Sequence, residues 1–252
     1  MRPRQAALEP FRQRYIAHRG LFDNASGHPE NTLAAFQRAA DAGYGIELDV
    51  QLTSDDQLVV VHDDDLSRLT GDDAMVWDMT LAELQQRRVL TSDERVPLFS
   101  DVLKLIDGRV PLIVEIKTGP KLALRCQMTD DALRDYRGTY CVESFDPRVL
   151  WWYRRHRPDV IRGQLADVMG PGDGVGGRVG RWALTNMIPN LLTWPDFIAY
   201  AHERGGRFAV RCWRRFLRCT LVAWTLKSQA ALDAARHVGF SVFIFDSFIP
   251  EP

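Results

Sequence analysis

Nowhere does this 252-residue sequence run through about twenty consecutive apolar residues, so no membrane-spanning helix is expected. It lacks an excess of positive charge too: 32 lysines and arginines stand against 33 aspartates and glutamates, for a net charge of −1. That balance argues against a nucleic-acid partner, which needs cations to offset many phosphates. Cysteine is scarce. Cys126, Cys141, Cys212 and Cys219 form no Cys-x-x-Cys pair and have no histidine at zinc-finger spacing, so they are read as reduced core hydrophobes. The first ten residues carry arginine but no apolar segment of the signal-peptide kind, and a cytoplasmic protein is expected. No internal repeat or heptad array is present.

What is there suits a single α/β domain over residues 1–252, with 46% hydrophobic and 26% charged side chains to build a large core and a solvated surface. Apolar runs alternate with stretches of helical period, the pattern of βα units. Nine runs read as strands: Tyr15–Ala17, Gly45–Ile46, Leu58–Val61, Leu112–Val114, Thr139–Val142, Val160–Leu165, Asp196–Tyr200, Leu221–Thr225 and Ser241–Phe245. Helices are expected from Asn31 as N-cap through Ala40, with Gly43 as the stop, from Pro147 to His156 and from Ser228 to His237.

Nine strands are one too many for a closed (β/α)₈ barrel. Only about ten residues separate Asp49 from Val59, too few for the helical crossover a parallel neighbour needs. Glu47 to His62 is therefore expected to form a hairpin turning near Ser54-Asp55-Asp56, with Glu47 roughly opposite His62, and the other eight strands to form the barrel. Residues from about 63 to 97 break the βα rhythm and read as a small insertion after the His62 strand, with a short helix from Leu81 to Arg88. Gly170 to Gly177 is so rich in glycine that a mobile loop is expected there.

Four charged islands stand at the tails of apolar runs in the first half: His18-Arg19-Gly20, Glu47-Leu48-Asp49, His62-Asp63 and Glu115-Ile116-Lys117. A parallel sheet keeps its chemistry at such strand ends. Strand parity turns Glu47 and Asp49 to one side and Leu48 and Val50 to the other, and does the same for Glu115 and Lys117. Since covering helices take the apolar set, three carboxylates converge inside, where repulsion and desolvation would raise their pKa values unless a cation held them ionised. All-oxygen ligands favour Mg²⁺ or Ca²⁺ over zinc. Histidine as a residue type titrates near neutrality, which suits His18 and His62 for one to accept a proton and the other to donate one. Arg19 and Lys117 add two fixed cations, a clamp for phosphoryl oxygens. His156, His202 and His237 are expected at the surface or in packing.

Ile16-Ala17-His18-Arg19-Gly20, Pro29-Glu30-Asn31-Thr32-Leu33-Ala34-Ala35-Phe36, Glu47-Leu48-Asp49-Val50-Gln51-Leu52-Thr53, Val61-His62-Asp63 and Glu115-Ile116-Lys117 follow one another in an order that resembles the motifs of glycerophosphodiester phosphodiesterases. Glu143-Ser144-Phe145-Asp146 and Ala223-Trp224-Thr225 extend the likeness over essentially the whole chain. The resemblance implies a (β/α)₈ barrel that hydrolyses glycerophosphodiesters to glycerol 3-phosphate and an alcohol with a divalent metal. It further implies metal binding by Glu47, Asp49 and Glu115, acid and base roles for His18 and His62, and phosphate binding by Arg19 and Lys117. Glu30 and Asn31 would orient site residues or approach the metal, and Trp224 would form an apolar wall for the glycerol or headgroup. Many relatives close with a Thr-Asp-x-Pro-like element, whereas this chain has Phe245-Asp246-Ser247-Phe248-Ile249-Pro250, so Asp246 receives no role.

Trp182 to Pro195 is unusually apolar for a loop and carries tryptophan near both ends. Two readings stand: a helix buried over the barrel, or a peripheral membrane contact that would make lysophospholipids substrates. Rival functions are a related phospholipase or sphingomyelinase on the same barrel, and a non-catalytic phosphodiester-binding module; a binder has no need of a proton-transfer pair.

Overall fold

A computed structural model describes residues 3–167, 177–205 and 208–251. It divides into two compact units, one of Arg14–Cys141 and one of Met1–Gln13 with Val142–Pro252. Most of the expected glycine-rich loop, residues 170–176, lies outside the described residues.

The unit of Arg14–Cys141 is organised around β2 (Gly45–Leu52), every residue of which is buried. β1 (Ile16–His18) and β4 (Leu112–Ile116) pair with β2 in parallel, setting His18 beside Glu47 and Glu115 beside Asp49. β3 (Leu58–Val60) runs antiparallel to β2, with Leu58 opposite Leu52 and Val60 opposite Val50. This is the expected hairpin. Thr53 to Gln57 make its turn, where Asp56 takes the left-handed region at φ 59° and the Thr53 hydroxyl accepts from the Gln57 amide at 2.9 Å.

The register corrects one expectation. Pairs on β2 and β3 sum to 110, so a longer ladder would set Leu48, not Glu47, across from His62. The strand ends at Val60 instead and His62 sits in a bend, which frees its side chain from the parity of β3. A second correction concerns the helix Leu33–Asp41: Thr32, not Asn31, is its N-cap, accepting from the Ala35 amide at 3.4 Å. Asn31 has φ 56° and turns its side chain elsewhere. Gly43, at φ 76°, follows the helix end as expected. After His62 the chain builds a small apolar cluster of its own, with Leu66, Leu69, Val76, Met79, Leu84, Val89 and Val96 packed on Val59 and Val61. The helix expected from Leu81 to Arg88 is a single turn, Leu81–Leu84, closed by a Thr80/Glu83 capping box.

Among the described residues the other unit holds five parallel strands: β5 (Tyr140–Ser144, paired from Val142), β6 (Arg162–Ala166), β7 (Phe197–Ala201), β8 (Thr220–Leu226) and β9 (Val242–Phe245). Helices Pro147–His156, Gly177–Thr185, Phe208–Leu217 and Gln229–Val238 connect them. With β1, β2 and β4 that makes the eight parallel strands expected, and β3 is the extra one. The Trp182–Pro195 segment is not a buried helix. It spans the end of Gly177–Thr185 and the turn Asn190–Thr193, and Trp182, Leu191, Leu192 and Trp194 are exposed. Cys126, Cys141 and Cys219 are buried as expected, whereas Cys212 is exposed. Among the described residues no helix is long and apolar enough to cross a membrane.

Candidate active site

All but one of the expected site residues fall in the unit of Arg14–Cys141. β1 ends on His18, and the chain then turns through Arg19 at φ 55° and Gly20 at φ 83°. A Cβ at Gly20 would lie 2.9 Å from the Ala35 carbonyl carbon, so the close passage against the helix Leu33–Asp41 needs glycine. The turn aims the Arg19 amide at Glu47 Oε2, 3.1 Å away, and brings His18 Nε2 to 3.9 Å from the same oxygen.

Glu47, Asp49 and Glu115 are buried, and each offers an oxygen within 4.8 Å of the others'. Strand parity and the level pairing of Asp49 with Glu115 produce this convergence. Lys117 Nζ lies 3.1 Å from Glu115 Oε1 and 3.4 Å from Asp49 Oδ1. Burial pushes the Asp49 carboxyl up, but Lys117, His62, Arg19 and an Asn31 hydrogen bond outweigh it and hold Asp49 well below the usual carboxylate range. Glu115 goes the other way: burial, with Asp49 adding to it, raises its pKa despite Lys117. Burial likewise opposes charge on Lys117, yet Glu115 and Asp49 keep it firmly protonated.

The donor set fits a hard divalent cation. It is all oxygen, which Mg²⁺ and Ca²⁺ prefer. Asp49 Oδ1 is buried and accepts no hydrogen bond, with the ammonium of Lys117 3.4 Å away, and the buried Asn31 Oδ1 also lacks a donor. Asn31 Nδ2 meanwhile donates to Asp49 Oδ2 at 2.8 Å, fixing that carboxylate's orientation.

Outside this cluster runs a continuous chain of ion pairs. Arg19 Nη1 reaches Glu30 Oε1 at 2.6 Å, and Arg68 grips both oxygens of Glu30 at 2.8 and 2.9 Å. Arg68 Nε also meets Asp63 Oδ2 at 2.6 Å, and Asp63 Oδ1 holds His62 Nδ1 at 2.7 Å. Asn24 adds a hydrogen bond to Glu30 at 3.0 Å. Burial works against charge on Glu30, but Arg68, Arg19 and Asn24 bring its pKa down to about 2. Asp63 is also held well below its usual range, burial being overcome by His62 and Arg68. Glu30 thus spends its acceptors on orienting Arg19 and Arg68.

Three residues without a sequence assignment belong to this construction. Buried Gln51 donates to the carbonyls of Val61, His62 and Asp63 at 3.0 to 3.2 Å, pinning the bend that presents His62. Parity could have found it, since Gln51 follows Glu47 and Asp49 on the same face of β2. Asp63 stands next to His62 in the same charged island. Arg68 had no signal, because it comes from the irregular segment after β3. The other histidines stay apart: His28 bonds only its own loop, to Ser26 O at 2.9 Å, while His156 and His237 are exposed and bond carbonyls of their own helices. Trp224 belongs to the other unit, half-buried on β8, with its ring edge-on to Phe145 at 5.5 Å.

Known proteins resemble this chain in sequence and in fold. The sequence pattern of the glycerophosphoryl diester phosphodiesterase family matches residues 18–213. The chain is 30% identical over 241 residues to YhdW of Bacillus subtilis, covering 92% of this chain and 93% of that protein. It is 44% identical over 112 residues to a glycerophosphodiester phosphodiesterase of Caldanaerobacter subterraneus, covering 41% and 45%. Rat lysophospholipase D GDPD1 is 32% identical over 146 residues, or 53% of this chain and 45% of the rat protein. Among solved structures, a phosphodiesterase of Oleispira antarctica in complex with the product sn-glycerol-3-phosphate superposes with a TM-score of 0.76 at 21% identity, over 93% and 92% of the two chains. The glycerophosphodiester phosphodiesterase of Thermotoga maritima gives 0.70 at 25% identity, over 93% and 95%. The fold is the expected (β/α)₈ barrel.

Proposed function

Because the chain belongs to the glycerophosphoryl diester phosphodiesterase family and is thereby a phosphoric diester hydrolase, we propose that it cleaves glycerophosphodiesters to glycerol 3-phosphate and an alcohol, using His18 and His62 for proton transfer and Glu47, Asp49 and Glu115 to hold Mg²⁺ or Ca²⁺. The observation that carries this reading is the meeting of three buried carboxylates beside two histidines, an arginine and a lysine. A divalent ion, when bound, supplies Lewis-acid polarisation of a phosphoryl oxygen and offsets the repulsion among the carboxylates.

The chain's own residues do the rest. One histidine removes the proton from the attacking hydroxyl, either water or the glycerol 2-hydroxyl, and the other donates a proton to the departing alkoxide. Attack by the 2-hydroxyl gives a cyclic phosphate, which water then opens. Asp63 on Nδ1 orients the His62 ring and leaves its Nε2 for the transfer. Arg19, steadied by Glu30, and Lys117 bind the phosphoryl oxygens as negative charge redistributes. By its motif alone, Trp224 is proposed to face the alcohol group. Four free cysteines accord with a cytoplasmic place of action.

Likeness to rat lysophospholipase D GDPD1 supports a second substrate class, lysophospholipids, on the same machinery. A panel assay tests both readings. Glycerophosphocholine, glycerophosphoethanolamine and lysophosphatidylcholine are offered to chelator-stripped protein with each ion in turn. Ion-dependent release of glycerol 3-phosphate from the first two supports the main reading, and cleavage of the third alone supports the second. Turnover that survives exhaustive chelation contradicts the metal assignment.

A further inference from the structure

The apolar Trp182–Trp194 segment does not stand alone. Its Trp194 ring meets Phe216 edge-on at 6.0 Å, Phe216 meets Trp213 at 6.0 Å, and Trp213 Nε1 donates to the Asn186 carbonyl at 2.7 Å. The segment and the helix Phe208–Leu217 therefore make one surface within a single unit. Trp182, Leu192 and Phe216 are 60%, 64% and 62% exposed, and large apolar side chains gathered in one exposed region mark an interaction surface.

The same stretches of chain carry charge of one sign. The chain as a whole has one acid more than it has bases, yet neither residues 174–195 nor residues 204–232 contain an aspartate or glutamate. Arg178, Arg211, Arg214, Arg215 and Arg218 are all exposed there. Arg211, Arg214 and Arg215 line a cleft of about 410 Å³ whose apolar wall is Leu221 and Val238. Among the described residues no carboxylate pairs with these three arginines.

We propose that this surface docks the protein on an anionic phospholipid bilayer, with Leu191, Leu192, Trp194 and Phe216 entering the headgroup boundary and the arginine cleft taking a lipid phosphate. Tryptophans at the border of an apolar strip and a basic flank suit the interfacial zone, where an amphipathic ring is at home. Arginine forks suit phosphate oxygens. A second copy of the chain is the wrong occupant, since a face-to-face dimer would set arginine against arginine. Nucleic acid gains nothing from protruding leucines. The surface makes no use of the catalytic residues, so it stands apart from the hydrolase reading.

Sedimentation of the intact protein with vesicles tests this. Parent protein at low salt should partition at least about tenfold better onto phosphatidylcholine vesicles containing phosphatidylglycerol than onto phosphatidylcholine alone, and high salt should strip it off. Leu191→Ser with Leu192→Ser should weaken binding about tenfold. Arg211→Gln with Arg215→Gln should do so by about tenfold and remove most of the salt dependence. Both pairs are exposed and should hydrolyse a soluble diester at the parent rate. The proposal is overturned by absence of binding to anionic vesicles at low salt, by both variants sedimenting like the parent, or by a parent dimer in light scattering that the leucine substitutions split into monomers.

Discussion

The inner carboxylate cluster and the outer ion-pair chain lie in one small region and answer the same physical problem differently. In the outer chain every charge has a partner of opposite sign: Arg19 on Glu30, Glu30 on Arg68, Arg68 on Asp63, Asp63 on His62. In the inner cluster Asp49 and Glu115 share the ammonium of Lys117 while Glu47 lies against the Arg19 amide and His18, and Glu115 responds by favouring its proton. Side chains that neutralise one another fix geometry. A set left short of positive charge is built for a cation from outside.

Catalysis should separate the two regions first. His18→Ala and His62→Ala should each lower kcat by about a hundredfold or more, the scale of a lost general acid or base. Asp63→Asn should cost less, about tenfold, with a shifted pH profile, because the ring stays while its orienting carboxylate is gone. Parent-like kcat in both histidine variants would remove the roles given to them.

Stability of the metal-free protein should then split in sign. Glu30 has a depressed folded pKa of about 2, so its contribution is present above its ordinary value near 4.5 and is lost as pH falls toward 2. Glu30→Gln should destabilise by about 3 kcal/mol at neutral pH, because two arginines lose their partner. The loss should shrink between pH about 4.5 and about 2. Glu115 has a raised folded pKa, so its ionisation weakens the folded state as pH rises. Glu115→Gln should leave neutral-pH stability within about 1 kcal/mol of the parent or above it. Chemical denaturation at several pH values reads both, and equal losses in the two variants would erase the distinction.

Much of this could be read from the chain itself. Nine apolar runs became nine strands because buried strands must be continuous in apolar or inward-facing groups, and the five residues between Leu52 and Leu58 left only a hairpin. Parity along β2 located Glu47 and Asp49. What escaped was set by backbone bends. Asn31 looked like a cap until its positive φ turned it onto Asp49, and His62 reaches the site because β3 stops short. Arg68 comes from a segment with no periodicity to place it, and the exposure of Trp182 to Trp194 depends on tertiary packing that hydropathy alone does not encode.

Titration calorimetry of chelator-stripped protein with Mg²⁺ and with Ca²⁺, repeated on Asp49→Asn, decides whether the three carboxylates hold a divalent ion. One ion should bind per chain for at least one of the two metals, with affinity reduced by about a hundredfold or more in the variant. Absence of binding by the parent, or equal affinity in Asp49→Asn, would contradict it.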